Sequence, residues 1–263
     1  MKGKAIGISL LKISVALLFW GAIWVAVSHR VGNDFLFPSP ADVGAELWRL
    51  LGEKSFWLIT LTSLLRVLWG IAISWVLGTL LAYLTCASRL LNTLISPALS
   101  AIKSTPVASF IILALLWMER QTLPVFITAL IVIPIVWANV SEGIRDVDRG
   151  LLEVAELYRF SLWRRLTRLY VPSVLPYFMA ACKSSLGLAW KAGIAAEILA
   201  TPDHSIGKEL YFSKTYLETP TLFAWTLVVI VLSLLIEKLL VFGLERLSGR
   251  LRMTPKGADH VKA

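Results

Sequence analysis

Arg66, Lys103, Lys183, Lys191 and Glu197 lie within, or near the ends of, long apolar runs. Ionisable side chains in that setting are costly in lipid, so they face a protein interior or a water path, or pair with another group. Lys183 lies near one end of its run, where snorkelling to the interface is a sufficient account. Lys191 and Glu197 lie deeper. Six residues apart on a helix, they do not share a face closely enough to pair with each other. Two readings of Lys191 stand side by side: a pore-facing cation that favours an anionic solute, and a structural ion pair with another span. Other chemistry is sparse. His29, His204 and His260 are isolated, and Cys86 and Cys182 read as small apolar residues at a span edge and within a span. No disulfide framework, metal site or catalytic constellation follows. The phosphate-cradling G-x-x-x-x-G-K-[ST] pattern does not occur, since "SIGKEL" (205–210) lacks both the upstream glycine and the hydroxyl after Lys208.

A second set of polar residues lies outside the apolar runs. The segment 142–175 carries Glu142, Asp146, Asp148, Glu153 and Glu156 with six arginines between Arg145 and Arg168. It also keeps an apolar helical pattern: Leu151, Leu152, Ala155 and Tyr158, then Leu162, Leu166 and Leu169. The pattern predicts two short amphipathic helices, with Pro172 and Pro176 breaking the helix and starting the next span. Periodicity alone is equally consistent with an interfacial helix that only connects two spans.

These residues need elements to hold them. The chain has 263 residues, 57% hydrophobic and 16% charged, against about 25% charged in an ordinary soluble domain. Long unbroken apolar runs argue for membrane-spanning helices rather than a β-barrel, whose strands alternate. Six spans are expected, near 10–28, 57–85, 92–117, 122–141, 176–199 and 221–242. The first reads as a retained signal anchor: Lys2, Lys4 and Lys12 precede a run that ends in "WVAVSHR" with no clean cleavage site. Sixteen of the 26 lysines and arginines fall on one set of connecting segments, which puts both termini on the cytosolic side. That distribution explains the net charge of +9 better than a nucleic-acid partner does. Outside, "FPSPADVGAELWRLL" predicts a short interfacial helix capped by Asp42, with Val43, Leu47, Leu50 and Leu51 on one face and Trp48 near the boundary. A second outer segment covers about 200–220. The segment 142–175 lies inside.

The inner segment resembles the "EAA" loop of binding-protein-dependent ABC importer permeases. Glu153, Val154 and Ala155 take its first three places, and Arg159 takes the place of its glycine. Trp163, Leu166 and the Val171-Pro172 pair follow at the family's spacing, and Pro176 repeats a proline common in the nitrate, sulfonate and taurine branch. "FPSPADV", "SLLRVLWGIAIS" with Arg66, "KSTPVASF" and "LPYFMAACKSSLGLAWKAGIAAEIL" resemble other parts of that branch, so the likeness covers most of the chain. Lys183 stands where the family usually has arginine.

The resemblance implies an all-α membrane protein with the type I ABC importer permease fold, forming one permease domain over 1–263. The segment 142–175 is then a cytosolic coupling loop gripped by a separate ATP-binding subunit, which binds the ATP, so the chain itself takes no cofactor. Glu153, Ala155, Trp163 and Leu166 would form the docking core, with Val154, Arg159 and Pro172 completing the motif. Small Ala155 would allow close approach, and Glu153 would pair with a basic residue or cap a helix. Two copies would enclose a path for a small anionic solute, with Lys191, Glu197 and Arg66 the candidates to line it. An extracytoplasmic binding protein would dock on the outer helix around 41–51 and the 201–219 loop. Arg159 departs from the motif, because its side chain makes φ > 0 costly. Either the turn is built differently or the partner is matched to it. An ion-coupled secondary transporter is the alternative, although such carriers usually have more spans and internal repeats.

Overall fold

A computed structural model describes residues 2–33 and 35–251. His260 and the basic residues beyond Leu251 lie outside the described residues. Every element in the described chain is helical: α1 (Lys2–Val31), α2 (Pro40–Leu51), α3 (Lys54–Ala87), α4 (Arg89–Ser104), α5 (Val107–Ala114), α6 (Leu123–Arg145), α7 (Arg149–Leu157), α8 (Leu162–Arg165) with a π-helical turn (Leu166–Tyr170), α9 (Val171–Ala200), α10 (Ile206–Thr215) and α11 (Thr219–Leu251).

All six expected spans fall on helices, with one correction. Ser14–Val31 of α1, α3, α6 and Thr219–Arg246 of α11 are each long and apolar enough to cross a membrane. The third expected span, 92–117, is instead two helices, α4 and α5, bent by 106°. The cause is Pro106. Its ring forces Thr105 out of the helical region, to φ −87° and ψ 135°, so α4 must end there. The α4–α5 pair counts as a fifth span if taken as one. The helix on the fifth expected span, α9, is 30 residues long, or about 45 Å, which exceeds the hydrocarbon thickness, but it is not among the helices apolar enough to count as a span. Lys183, Lys191 and Glu197 lower its apolarity.

The chain divides into two compact units. The first runs from the N-terminus to Ser63 and from Thr201 to Val231. Ser39, not Asp42, caps α2: its Oγ accepts from the Asp42 N–H at 3.2 Å and donates to the Asp42 carboxylate at 2.5 Å. Pro40 follows in the first helical position, where its missing N–H costs nothing. Val43 and Leu50 are buried as expected, whereas Leu51 and Trp48 are exposed. Glu46 straps α2 to α11, accepting from Thr221 Oγ1 at 2.9 Å. The adjoining Arg49, 2.7 Å from Glu46, holds that carboxyl below its ordinary range against the opposing effect of burial. Phe56 stacks on Trp225 with centroids 5.0 Å apart. Ser63 Oγ accepts from the Ile206 N–H at 2.9 Å, holding the start of α10.

The second unit comprises Leu64–Ala200 and the chain from Leu232 on. Lipid tails are as apolar as leucine, so helices here associate by close packing and hydrogen bonds rather than by a hydrophobic drive. The sequence supplies small residues for that purpose. On α3, Gly70, Ser74, Gly78 and Ala82 recur every fourth position and are all buried. A Cβ on Gly70 would lie 2.6 Å from Thr128 Cβ, and one on Gly78 would lie 2.7 Å from Val136 Cβ. A Cβ on Gly193 of α9 would lie 2.6 Å from Val67 Cγ2 and 2.9 Å from Thr128 Oγ1. Backbones of α3, α6 and α9 therefore approach through glycine. Trp137 Nε1 donates to Thr85 Oγ1 at 2.9 Å, tying α6 to α3. Ile111 and Ala114 of α5 pack into a cluster with Leu123, Ile127, Ala192, Ala196 and Ala200. Gly193→Val is expected to cost about 1–3 kcal/mol through overpacking. The readout is a fall in the melting temperature of the detergent-purified chain; an unchanged melting temperature contradicts the close approach.

Candidate functional site

The inner segment forms a helix–turn–helix that leaves the α6 end and returns into α9. Tyr177 anchors its base. The Tyr177 ring packs where a Cβ on Gly143 would sit, and its hydroxyl donates to Asp146. Asp148 then starts α7, its Oδ1 accepting from the Gly150 N–H at 2.7 Å.

The turn after α7 resolves the question raised by Arg159. The Phe160 N–H donates to Ala155 O at 2.8 Å, and the Arg159 N–H donates to Glu156 O at 3.0 Å. This pair of bonds is the Schellman arrangement, which needs a left-handed residue at the position of Arg159. Arg159 supplies it, with φ at 49°. The turn is thus the one a glycine would make, held by an arginine. Ser161 caps α8 by accepting from the Arg164 N–H at 3.4 Å, and the Arg164 guanidinium lies over the Phe160 ring, 5.7 Å from its centroid.

Two expectations for this segment are corrected. Pro172 and Pro176 do not break the helix: α8, the π turn and α9 follow without interruption. The Val171 N–H reaches back five residues to Leu166 O. That widened turn accommodates Pro172, which cannot donate, in the first turn of α9. Pro176 lies inside α9. The second correction concerns Ala155, which is 1% exposed. Its small side chain serves packing within this chain rather than approach by another. Glu153 and Val154 are exposed. Leu157, Leu162 and Trp163 are 79%, 86% and 74% exposed, and Tyr158 and Leu166 are also exposed. The helical periodicity named Tyr158, Leu162 and Leu166 but not the side they would take. Leu169 of the same pattern is buried.

The intramembrane charges separate into two groups. Arg66 of α3 and Glu197 of α9 come together, Nη1 to Oε1 at 3.4 Å, and Arg66 Nη2 donates to Gln121 Oε1 at 2.5 Å. The Glu197 side chain is fully buried and that of Arg66 is 13% exposed. These two therefore hold α3, α9 and the start of α6 together. Gln121 gave no signal in the sequence, because an uncharged residue 55 positions away has no periodic relation to Arg66. Lys191 does not pair with Glu197, as the spacing predicts. Its side chain is exposed and makes no ion pair among the described residues. Lys183 pairs with Glu245 of α11 at 2.6 Å. His29 and His204 are exposed, and no His, Cys, Asp or Glu cluster among the described residues suits a metal ion.

Residues 70–251, more than half of the chain, match the family described as binding-protein-dependent transport system inner membrane component. The chain belongs to this family. It is accordingly a multi-pass protein of the bacterial inner membrane. The permease is 28% identical to the bicarbonate transport system permease protein CmpB of Synechococcus elongatus, over 60% of this chain and 56% of that one. It thus spans little more than half the length of that relative. It is also 28% identical to the putative aliphatic sulfonates transport permease protein SsuC of Escherichia coli, over 83% and 82% of the two chains. With the nitrate import permease protein NrtB of Synechococcus elongatus the identity is again 28%, over 73% and 72%. In fold, the permease superposes on a chain of a bacterial alginate ABC transporter crystallised with its pentasaccharide-bound periplasmic protein. The TM-score is 0.60, at 12% identity and with 96% of each chain covered.

Breaking a buried pair leaves an uncompensated charge, at a cost of about 3–5 kcal/mol. Arg66→Met or Glu197→Gln alone should sharply lower the yield of monodisperse permease on size-exclusion chromatography. The double variant should recover much of that yield, since it leaves neither charge unpaired. Strictly additive losses would show that the two side chains do not act as a pair.

Proposed function

We propose that this permease is the membrane-spanning subunit of an ATP-driven importer of a small anionic solute. The whole chain acts as one transmembrane domain, with both termini on the cytosolic side. It assembles with a second copy, a cytosolic ATP-binding subunit and an extracytoplasmic binding protein. ATP is bound by the partner subunit, so the permease needs no cofactor of its own. The segment 142–175 couples the two.

One observation carries the coupling half of this reading. Leu157, Leu162 and Trp163 stand out from a segment that is otherwise densely charged. Large apolar side chains held in water on a rigid turn are anchors for a protein groove, and tryptophan is prominent among them. Glu153, Val154 and Leu166 flank them and complete the docking face. Pro172 fixes the return of the chain into α9. The capped turns and the Tyr177 anchor make the segment stiff enough to transmit force to α9.

Lys191 supports the anionic solute. It lies on an exposed stripe of α9 with Ser184 and Leu188, and a Cβ on Gly187 beside it would meet nothing within 4 Å. A bare ammonium there is costly against lipid and favourable in a water-filled path. Solutes such as sulfonate, nitrate and bicarbonate carry the complementary charge, and each is named for a relative of this chain. On the outer side, α2 with Trp48 and the α10 region offer the surface for the binding protein.

Two outcomes are expected. In proteoliposomes with the partner subunits and ATP, Lys191→Ala should lower anion uptake about tenfold while the permease stays assembled; undiminished uptake removes Lys191 from the path. Trp163→Ala combined with Leu162→Ala should abolish co-purification of the ATP-binding subunit, and full retention of that subunit would show that the segment is not its docking site.

A further inference from the structure

Arg159 is held in a conformation that its own side chain disfavours. A left-handed residue other than glycine costs about 1–2 kcal/mol, and the Schellman turn admits glycine at no such cost. Among the described residues, no ion pair of its side chain offsets this. The Arg159 side chain is exposed. The exposed carboxylates of Glu153 and Glu156 on the adjoining helix do not engage it. Arg164, by contrast, lies over Phe160.

The setting of this unused charge is unusual. It sits at the apex of the turn, between Leu157 and Tyr158 on one side and Leu162 and Trp163 on the other, all of them exposed. Any groove that covers those four side chains also removes water from the guanidinium. Burying an unpaired charge opposes binding, whereas a carboxylate placed to meet it forms a charge-assisted, bidentate contact. Resting on the coupling role argued above, we propose that Arg159 is a specificity contact with the ATP-binding subunit, whose docking groove carries an aspartate or glutamate opposite it. The groove would then accept this loop and reject one that offers glycine at the turn, by leaving its own carboxylate unpaired.

The test uses the permease in detergent and its purified ATP-binding subunit. Arg159→Gly relieves the turn, so its melting temperature should equal or exceed that of the native chain. Its affinity for the ATP-binding subunit should nevertheless fall about tenfold, with a shallower dependence on salt. Arg159→Lys, which keeps the charge and the strain, should retain more affinity than Arg159→Gly. Equal affinity and equal salt dependence for Arg159→Gly and the native chain overturn the proposal. The Trp163→Ala, Leu162→Ala variant runs beside them. If it binds normally, the docking reading itself fails. If it loses binding while Arg159→Gly keeps it, only the role of Arg159 is lost.

Discussion

Close backbone approach between α3, α6 and α9 is the constraint on which the second unit depends. Inside a bilayer, burying an apolar side chain against a neighbouring helix gains little over leaving it in lipid. Contact must therefore be intimate enough for dispersion and short hydrogen bonds to matter. Gly70, Gly78 and Gly193 provide that intimacy, since each position has no room for a Cβ beside Thr128, Val136 or Val67. The buried link from Arg66 to Glu197 and Gln121 lies in the same helix set. It adds orientation to the contact, because a guanidinium flanked by two acceptors fixes both rotation and depth.

The segment 142–175 inherits its position from that seam. It leaves the end of α6 and re-enters through the start of α9, the two helices that the seam brings together. Tyr177 closes its base against Gly143 and Asp146. The π turn then lets the chain pass from α8 into α9 without a break, despite Pro172 and Pro176. A push on the turn at Arg159 thus has a continuous helical route into the helix that carries Lys191. Rigidity matters here because a lever with a loose joint would lose displacement before reaching the transmembrane part.

Several features were legible because they depend on local chemistry. Apolar run length located the long helices, four of which are apolar enough to cross a membrane, or five with the bent α4–α5 pair taken as one. The apolar periodicity over 151–169 located the short helices of the segment 142–175. The conflict at Arg159 was also visible, since a turn that needs φ > 0 and a side chain that resists it are both local facts. What stayed hidden was directional or long-range. Ser39 rather than Asp42 caps α2 because the helix begins three residues earlier than an Asp42 cap implies, at Pro40, a boundary that periodicity does not resolve. The bend at Pro106 was missed because the apolar composition continues across it.

The sequence by itself determined that this chain is a helical membrane protein and that a densely charged segment, 142–175, interrupts its apolar runs. Those properties follow from composition and spacing, which act residue by residue. Only the tertiary structure decided that Arg66 and Glu197 belong together and that Lys191 stands apart. It also decided that Ala155 turns inward while Leu162 and Trp163 turn out. These outcomes depend on how helices distant in sequence rotate against one another. That rotation is set by where small residues let two backbones meet, which no single helix specifies alone.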